Sequence, residues 1–584
     1  MNGQKIIIAT WLLLLLAGRA SAGDMDRKLA EFYQRHLDAT FRLQPLTATH
    51  LGEHRFDHLL DDVSAAGRAR GQELERRTLA ELPRAVDYAQ LSRPGQVDFE
   101  ILRNQLQRSL WVAENIRPYE RDPRIYGDYA ADSVFALFVQ SSLPKATNVA
   151  NAVARMAQIP RVLAAARANL RDPPRVVVET AIKQNRGAIN FFERELFELV
   201  GQSAVTPELR TAAGRVAEAL RQHQRFLEDD LLPRATGEWR LGKEKFTRKF
   251  ALEIAAGITA DEALAEAEAE FQRVGRDMYV LARQLWCVHF PALTLPPDDA
   301  AGRREVIARV MDAIARDHAE PQQLVGETQA TVANLKRFLA EKKLLALPQP
   351  DRCRIAEMPE FMRGNSVAHL RPAPPLDPDT ASLYDISPPP KDWPPERVAS
   401  FVREYHRRML HILTIHEAYP GHFVQFNFAN RQPSLIRRMC SSDVYCEGWA
   451  VYGEQMMLDE GYGGGDPALR LTGLKFYLRA VANAILDHKM HCDALTDAAA
   501  LRFLTGEVFQ TEGEALLKLI RAKQSSVQLS YYFVGRMALT RLRQQIQREQ
   551  GEKFDLGRYH QAVLDEGAVP VRFLPELVRA RLSH

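Results

Sequence analysis

Two histidines six residues apart bracket an acid in the run His416-Glu417-Ala418-Tyr419-Pro420-Gly421-His422. Imidazole nitrogens and a carboxylate are the donor set that zinc and similar divalent ions take. In the familiar zinc-peptidase pattern H-E-x-x-H, i,i+4 spacing puts both imidazoles on one helical face and aims the Glu at a metal-activated water. Here the second His stands at i+6, about 240° round an unbroken helix from the first. That geometry alone fails. Pro420 and Gly421 fall between the histidines, however, and such a pair breaks or bulges a helix and can swing His422 back toward His416.

A third ligand has to come from another element. Ser442 to Met457 reads as a helix, and its Glu447 lies 25 residues past His422 (447 − 422), an interval suited to a helix–loop–helix return. Cys446, Trp449 and Ala450 around it are apolar, so a lone carboxylate there would carry a heavy desolvation cost. A metal relieves that cost, and so does an arginine partner; spacing leaves both open. His416, His422 and Glu447 are thus the candidate metal ligands, with Zn²⁺ the inferred ion, although His₂Glu also suits other divalent ions.

The elements that must position these groups are helical. Phe401 to Ile415 has the periodicity of an amphipathic helix that delivers His416 and Glu417 at its C-terminal end. Thr206-Pro207-Glu208 reads as a helix start, and Thr259-Ala260-Asp261-Glu262 as a capping box. Similar periodicity runs through Thr147 to Ala168, Arg303 to Asp317 and Leu469 to Cys492. From Pro348 to Pro395, prolines crowd out helix. Between them Val367 to Leu370 and Leu383 to Ile386 are able to form strands. That segment reads equally as an inter-lobe linker or as short strands walling a cleft. The predicted fold class is all-α: a large multi-helix body around a deep cleft, with a few short strands before the metal motif. A boundary near Gly237 to Gly242 divides an N-terminal helical lobe, residues 23–240, from a catalytic helical lobe, residues 241–584.

Composition narrows the setting. Lys5, the thirteen-residue apolar run Ile6 to Gly18 and the A-x-A site Ala20-Ser21-Ala22 read as a cleaved signal peptide over residues 1–22. The run is short for a membrane span, which needs about 20 apolar residues. No Cys follows it, which argues against lipid attachment. The expected product is periplasmic or secreted, with no membrane span. With 77 basic against 74 acidic side chains, nothing points to nucleic acid. The five cysteines lack the paired spacings of a thiolate zinc site, while Cys440 and Cys446 are close enough in sequence to form a disulfide.

The blocks His416 to Gln425 (HEAYPGHFVQ), Glu447 to Glu454 (EGWAVYGE) and Ser530 to Gly535 (SYYFVG) resemble the signature blocks of the bacterial family called domain of unknown function 885. The stretch Pro45-Leu46-Thr47-Ala48-Thr49-His50-Leu51-Gly52, with Asp57 and Asp61, resembles that family's start, so the resemblance covers nearly the whole mature chain. It implies an all-helical fold related to zinc peptidases of the H-E-x-x-H plus downstream Glu kind. It also implies His416, His422 and Glu447 as ligands, Glu417 as general base and Tyr531 as the phenol that stabilises the oxyanion. A packed aromatic is the bland alternative for Tyr531 and its neighbour Tyr532. Two departures bear on substrate contacts rather than on the metal: Phe423 stands where many relatives carry a further His, and Ser525-Ser526-Val527 where a Pro-Gly-Gln run is common.

The activity expected from these readings is zinc-dependent hydrolysis of amide bonds in short peptides, with Glu417 taking the proton of a water whose pKa the metal lowers to about 7. Three alternatives keep parts of it: hydrolysis of a non-peptide or cell-wall-derived amide, a catalytically silent metal-binding protein, and a helical interaction module whose histidines point apart. Lesser candidates are Asp487 with His491, which share a helical face, Glu454 two turns beyond Glu447, Arg536, and His406 and His411 on the helix entering the motif.

Overall fold

The structure, a computed structural model, describes residues 22–358, 368–389 and 393–583. The expected signal segment lies outside the described residues except for Ala22, which opens the first helix. The fold is all-α with one small sheet. Among the described residues no helix is long and apolar enough to cross a membrane.

The helices that concern the site are α1 (Lys243–Ile254), α2 (Ala260–His289), α3 (Arg407–Glu417), α4 (His422–Asn430), α5 (Asp443–Asp459), α6 (Pro467–Cys492), α7 (Glu512–Gln524) and α8 (Tyr531–Gln550). Several start where the sequence places a cap. Thr259 and Glu262 close the capping box on α2, Ser442 accepts from the Tyr445 N–H at the head of α5, and Thr206 caps the helix Pro207–Arg225. The segment Thr147 to Ala168 is two helices, Lys145–Met156 and Ile159–Asn169. The expected helix Phe401 to Ile415 is also two, Pro395–Glu404 and α3. Its break has a tertiary cause, because the Arg407 N–H donates to the carbonyl of Asp317 at 3.1 Å rather than to its own helix.

Strands occupy gaps in the proline-rich segment. β1 (Cys353–Glu357) pairs in parallel with β3 (Ser382–Ile386), and β2 (Ala368–Arg371) pairs with β3 antiparallel, in the order β1-β3-β2. Tyr384 and Ile386 of the central strand are buried. The segment is therefore a wall against α3 rather than a linker, since the Leu370 N–H of β2 donates to Glu417.

Buried apolar side chains form two clusters. One gathers residues from Met25 to Val578 and contains the site helices. The other is built from Leu60 to Ala235, around Tyr126, Phe191 and Leu220. Its last member, Ala235, precedes the turn at Gly237–Gly242, but residues between Met25 and Leu106 share the larger core. All five cysteines are free, so Cys440 and Cys446 do not use the closeness in sequence that would let them pair; Cys440 Sγ lies instead 3.5 Å from the Tyr33 hydroxyl.

Candidate metal centre

α3 ends at Glu417, and α4 begins at His422 after the turn Ala418–Gly421. The Gly421 N–H donates back to the Ile415 carbonyl at 3.0 Å, which folds the turn tightly beneath the helix end. A Cβ on Gly421 would sit 1.8 Å from the His416 carbonyl oxygen, so only glycine fits. Trp449 of α5 donates from Nε1 to the Pro420 carbonyl at 2.9 Å and ties this turn to the helix that carries Glu447. The result brings the two imidazoles edge to face, ring centres 4.8 Å apart.

Glu447 Oε2 lies 3.6 Å from His416 Nε2 and 3.6 Å from His422 Nε2. One ligand atom from each of the three residues lies within 4.8 Å of the others. Three donors about 2.0–2.1 Å from a tetrahedral ion would be roughly 3.3–3.5 Å apart, so the spacing suits one. Glu447 Oε2 is buried and has no hydrogen-bond partner, which is an expensive state for a carboxylate oxygen unless a cation fills the gap. The arginine alternative fails on the same ground, since Glu447 has no arginine in ion-pair range among the described residues. Burial alone would raise the Glu447 carboxyl, but the two imidazoles outweigh it and hold it well below the carboxylate range.

Glu454 lies on α5 two turns beyond Glu447, fully buried, and its Oε1 is 2.7 Å from His416 Nδ1. This contact fixes the tautomer that leaves Nε2 as a donor atom for metal and raises the basicity of the imidazole. Glu454→Gln is therefore expected to weaken zinc affinity by about 10–100-fold, measured by competition with a chromophoric chelator; unchanged affinity would remove Glu454 from the site.

Glu417 points to the strand wall, with its Oε2 accepting from the Leu370 N–H at 3.1 Å. Of the two adjacent tyrosines, Tyr532 and not Tyr531 packs on the His416 imidazole. Tyr531 donates to Glu253 of α1 at 2.8 Å. The Tyr532 ring stacks on His416 with centres 6.5 Å apart, and its oxygen accepts from Arg521 Nη2 at 3.0 Å. Burial, then the charge of Glu447, pushes the Tyr532 phenol up, so it stays protonated at neutral pH. Consecutive helical residues point about 100° apart, and the sequence names the pair without saying which member faces in.

α5 and α8 hold Glu447 and Tyr532 together by direct backbone contact. A Cβ on Gly448 would meet the Gly535 carbonyl carbon at 2.3 Å, and one on Gly535 would meet the Val444 oxygen at 1.9 Å. Phe476 and Phe426 flank the imidazoles, each with its ring centre 5.9 Å from one of them.

The lesser candidates separate. Asp487 and His491 do not pair with each other; both hold the loop that starts α8. Asp487 accepts from the Val527 N–H at 3.0 Å and the Ser530 hydroxyl at 2.9 Å, and His491 Nε2 contacts the Ser525 carbonyl at 2.9 Å. Val527 has φ of 70°, in the region that favours glycine. Arg536 is spent on Glu270 and the face of Tyr477. His411 turns away to Tyr462, and His406 is buried at the start of α3.

Burial pushes the Asp487 carboxyl up to about 7 from 3.8. Between those values the folded chain keeps a proton that the unfolded chain has released, so raising the pH across that window weakens folding, with no further loss above it. The contribution is roughly 4 kcal/mol. Urea unfolding at pH 4 and pH 8 is expected to show this slope in the wild type and to lose it in Asp487→Asn; equal slopes would refute the assignment.

The chain is similar over its length to two solved structures. One is a candidate lipoprotein of unknown function from Shewanella oneidensis, 28% identical, with a TM-score of 0.79 over 96% of this chain and 100% of that one. The other is a candidate lipoprotein from Colwellia psychrerythraea, 18% identical, with a TM-score of 0.74 over 96% of this chain and 99% of that one, a likeness of fold alone. No curated protein matches the chain. Residues 45–578 match the sequence profile described as a bacterial protein of unknown function (DUF885), and the chain belongs to that family.

Proposed function

We propose that the protein is a zinc-dependent hydrolase of amide bonds in short peptides. The observation that carries this reading is the convergence of His416 Nε2, His422 Nε2 and a buried Glu447 Oε2 that makes no hydrogen bond, with Tyr532 stacked on His416. Zinc bound there would supply Lewis acidity and a nucleophile at neutral pH. The chain's own groups do the rest. Glu454 orients His416. Glu417 is held through Oε2 by Leu370, which leaves Oε1 to take the proton of the attacking water and pass it to the leaving amine. Tyr532, kept protonated, donates a hydrogen bond to the carbonyl oxygen as it gains charge; such a donor is worth about 3 kcal/mol.

The same reading puts the protein outside the cytoplasm. It rests on the charge, apolar run and small-residue site at the N-terminus, and on similar bacterial proteins being described as candidate lipoproteins.

Plasma emission analysis of the purified protein is expected to find one zinc per chain. Stripping it with a chelator is expected to abolish peptide hydrolysis and to lower stability by about 4 kcal/mol at a zinc concentration a thousand times Kd. A chain that neither carries a divalent ion nor gains stability from added zinc would end the proposal.

A further inference from the structure

Beside the metal centre lies positive charge that the proposed chemistry does not use. Lys518 of α7 is only 9% exposed, and no carboxylate lies in ion-pair range of its ammonium among the described residues. Helical spacing offers it Glu514, four residues earlier, but that carboxylate is taken by Arg479 at 3.0 Å and by the Tyr405 hydroxyl at 3.0 Å. Arg521, one turn after Lys518 on the same helix, also has no carboxylate partner among the described residues. It donates to the neutral oxygens of Tyr532 at 3.0 Å and Gln528 at 3.3 Å. Arg521 adjoins the centre, since it bonds the phenol that stacks on His416, and Lys518 stands one turn before it on the same helix. Arg479, bonded to Glu514 of that helix, lies over Phe476, whose ring meets His416 edge to face.

Proteins seldom bury an ammonium without a counter-ion, because desolvation costs far more than packing returns. Burial, with Arg521 and Arg479 adding to it, pushes the Lys518 amine well down, so the fold gains nothing from a lysine here. An anion arriving from outside would change that. Hydrolysis of a peptide bond breaks C–N, adding the water's hydroxyl to the acyl carbon and its hydrogen to the amine. An arriving carboxylate would give the Lys518 amine the counter-ion it lacks and, with Arg521 beside Tyr532, would anchor a substrate on one side of that bond.

We infer that Lys518 and Arg521 form a carboxylate-binding subsite beside the metal centre, so that the hydrolase takes peptides presenting a carboxylate close to the scissile bond, foremost a free C-terminus. The inference rests on the hydrolase reading for its substrate, though not for its binding.

The test uses the zinc-loaded full chain and three pools of N-acetylated tripeptides. One pool has free C-termini, one is amidated, and one is amidated with Glu as its last residue. The wild type is expected to cleave the free-acid pool about 100-fold faster than the amidated pool, with the difference in KM. Lys518→Met and Arg521→Gln are each expected to cut that ratio below about 10, and Lys518→Arg to restore most of it. Fast cleavage of the Glu-ended amides supports the subsite and assigns it a side-chain carboxylate. Equal wild-type rates on all three pools, or a ratio unmoved by both variants, overturns the subsite and leaves the hydrolase standing. If the zinc-loaded wild type cleaves nothing, the hydrolase reading fails. Equilibrium dialysis of the free-acid and amidated pools then decides the subsite, which falls if binding shows no free-acid preference dependent on Lys518. Lys518→Met is also expected to unfold at a higher urea concentration than the wild type, as replacing a buried, unpaired amine with an apolar side chain should; a marked drop would make the lysine structural and overturn the inference.

Discussion

Glu417→Gln is expected to keep its zinc and to lose peptide hydrolysis by about 10²–10⁴-fold. The amide keeps the size of the acid, and its carbonyl can still accept from the Leu370 N–H that holds Oε2 at 3.1 Å. It cannot accept a proton, so a group that accepts one in the reaction is removed while its surroundings stay in place. Zinc stoichiometry and kcat/KM on the free-acid pool, read on the same preparation, give the outcome. Full activity in the variant would pass the role of base to another group. Zinc-loaded wild type and variant equally inert on peptides and on cell-wall amides would leave a protein that holds metal without using it. A variant that no longer binds zinc would place Glu417 among the ligands.

Gly421→Ala is expected to remove tight zinc binding and to cost about 3 kcal/mol or more of stability. The new methyl would lie 1.8 Å from the His416 carbonyl oxygen and 2.4 Å from that of Ile415, both backbone atoms at the end of α3. Relief requires a shift of more than an ångström, and the groups that must move carry His416 or His422. Zinc affinity and the urea midpoint are the measurements. A variant that binds zinc as the wild type does would mean that the turn does not set the distance between the imidazoles.

Much of this site was legible in the residues. An i+6 pair with Pro-Gly inside it is an unusual request, and the break between α3 and α4 answers it at Ala418–Gly421. Glu447 could be named because an acid among apolar neighbours needs a reason. Two of the strands lie where prolines leave gaps, Ala368–Arg371 and Ser382–Ile386. β1 was missed, since its alternation in Cys353–Glu357 is weak and its pairing with β3 is long-range. The break at Tyr405–His406 has no Gly or Pro to announce it; its cause is the carbonyl of Asp317, far away in sequence. Glu454 stands only as a lesser candidate in the sequence, and nothing there singles out Lys518, because only tertiary packing reveals that both are buried.

The contact between Gly448 and Gly535 limits how the protein can vary. Two peptide backbones in touch set the least adjustable spacing a protein possesses, and here they fix the gap between Glu447 and Tyr532. Gradual drift in side-chain size cannot retune that gap, so variation around the site is confined to its rim, among positions such as Phe426 and Phe476, while the pair of helices stays constant beneath them.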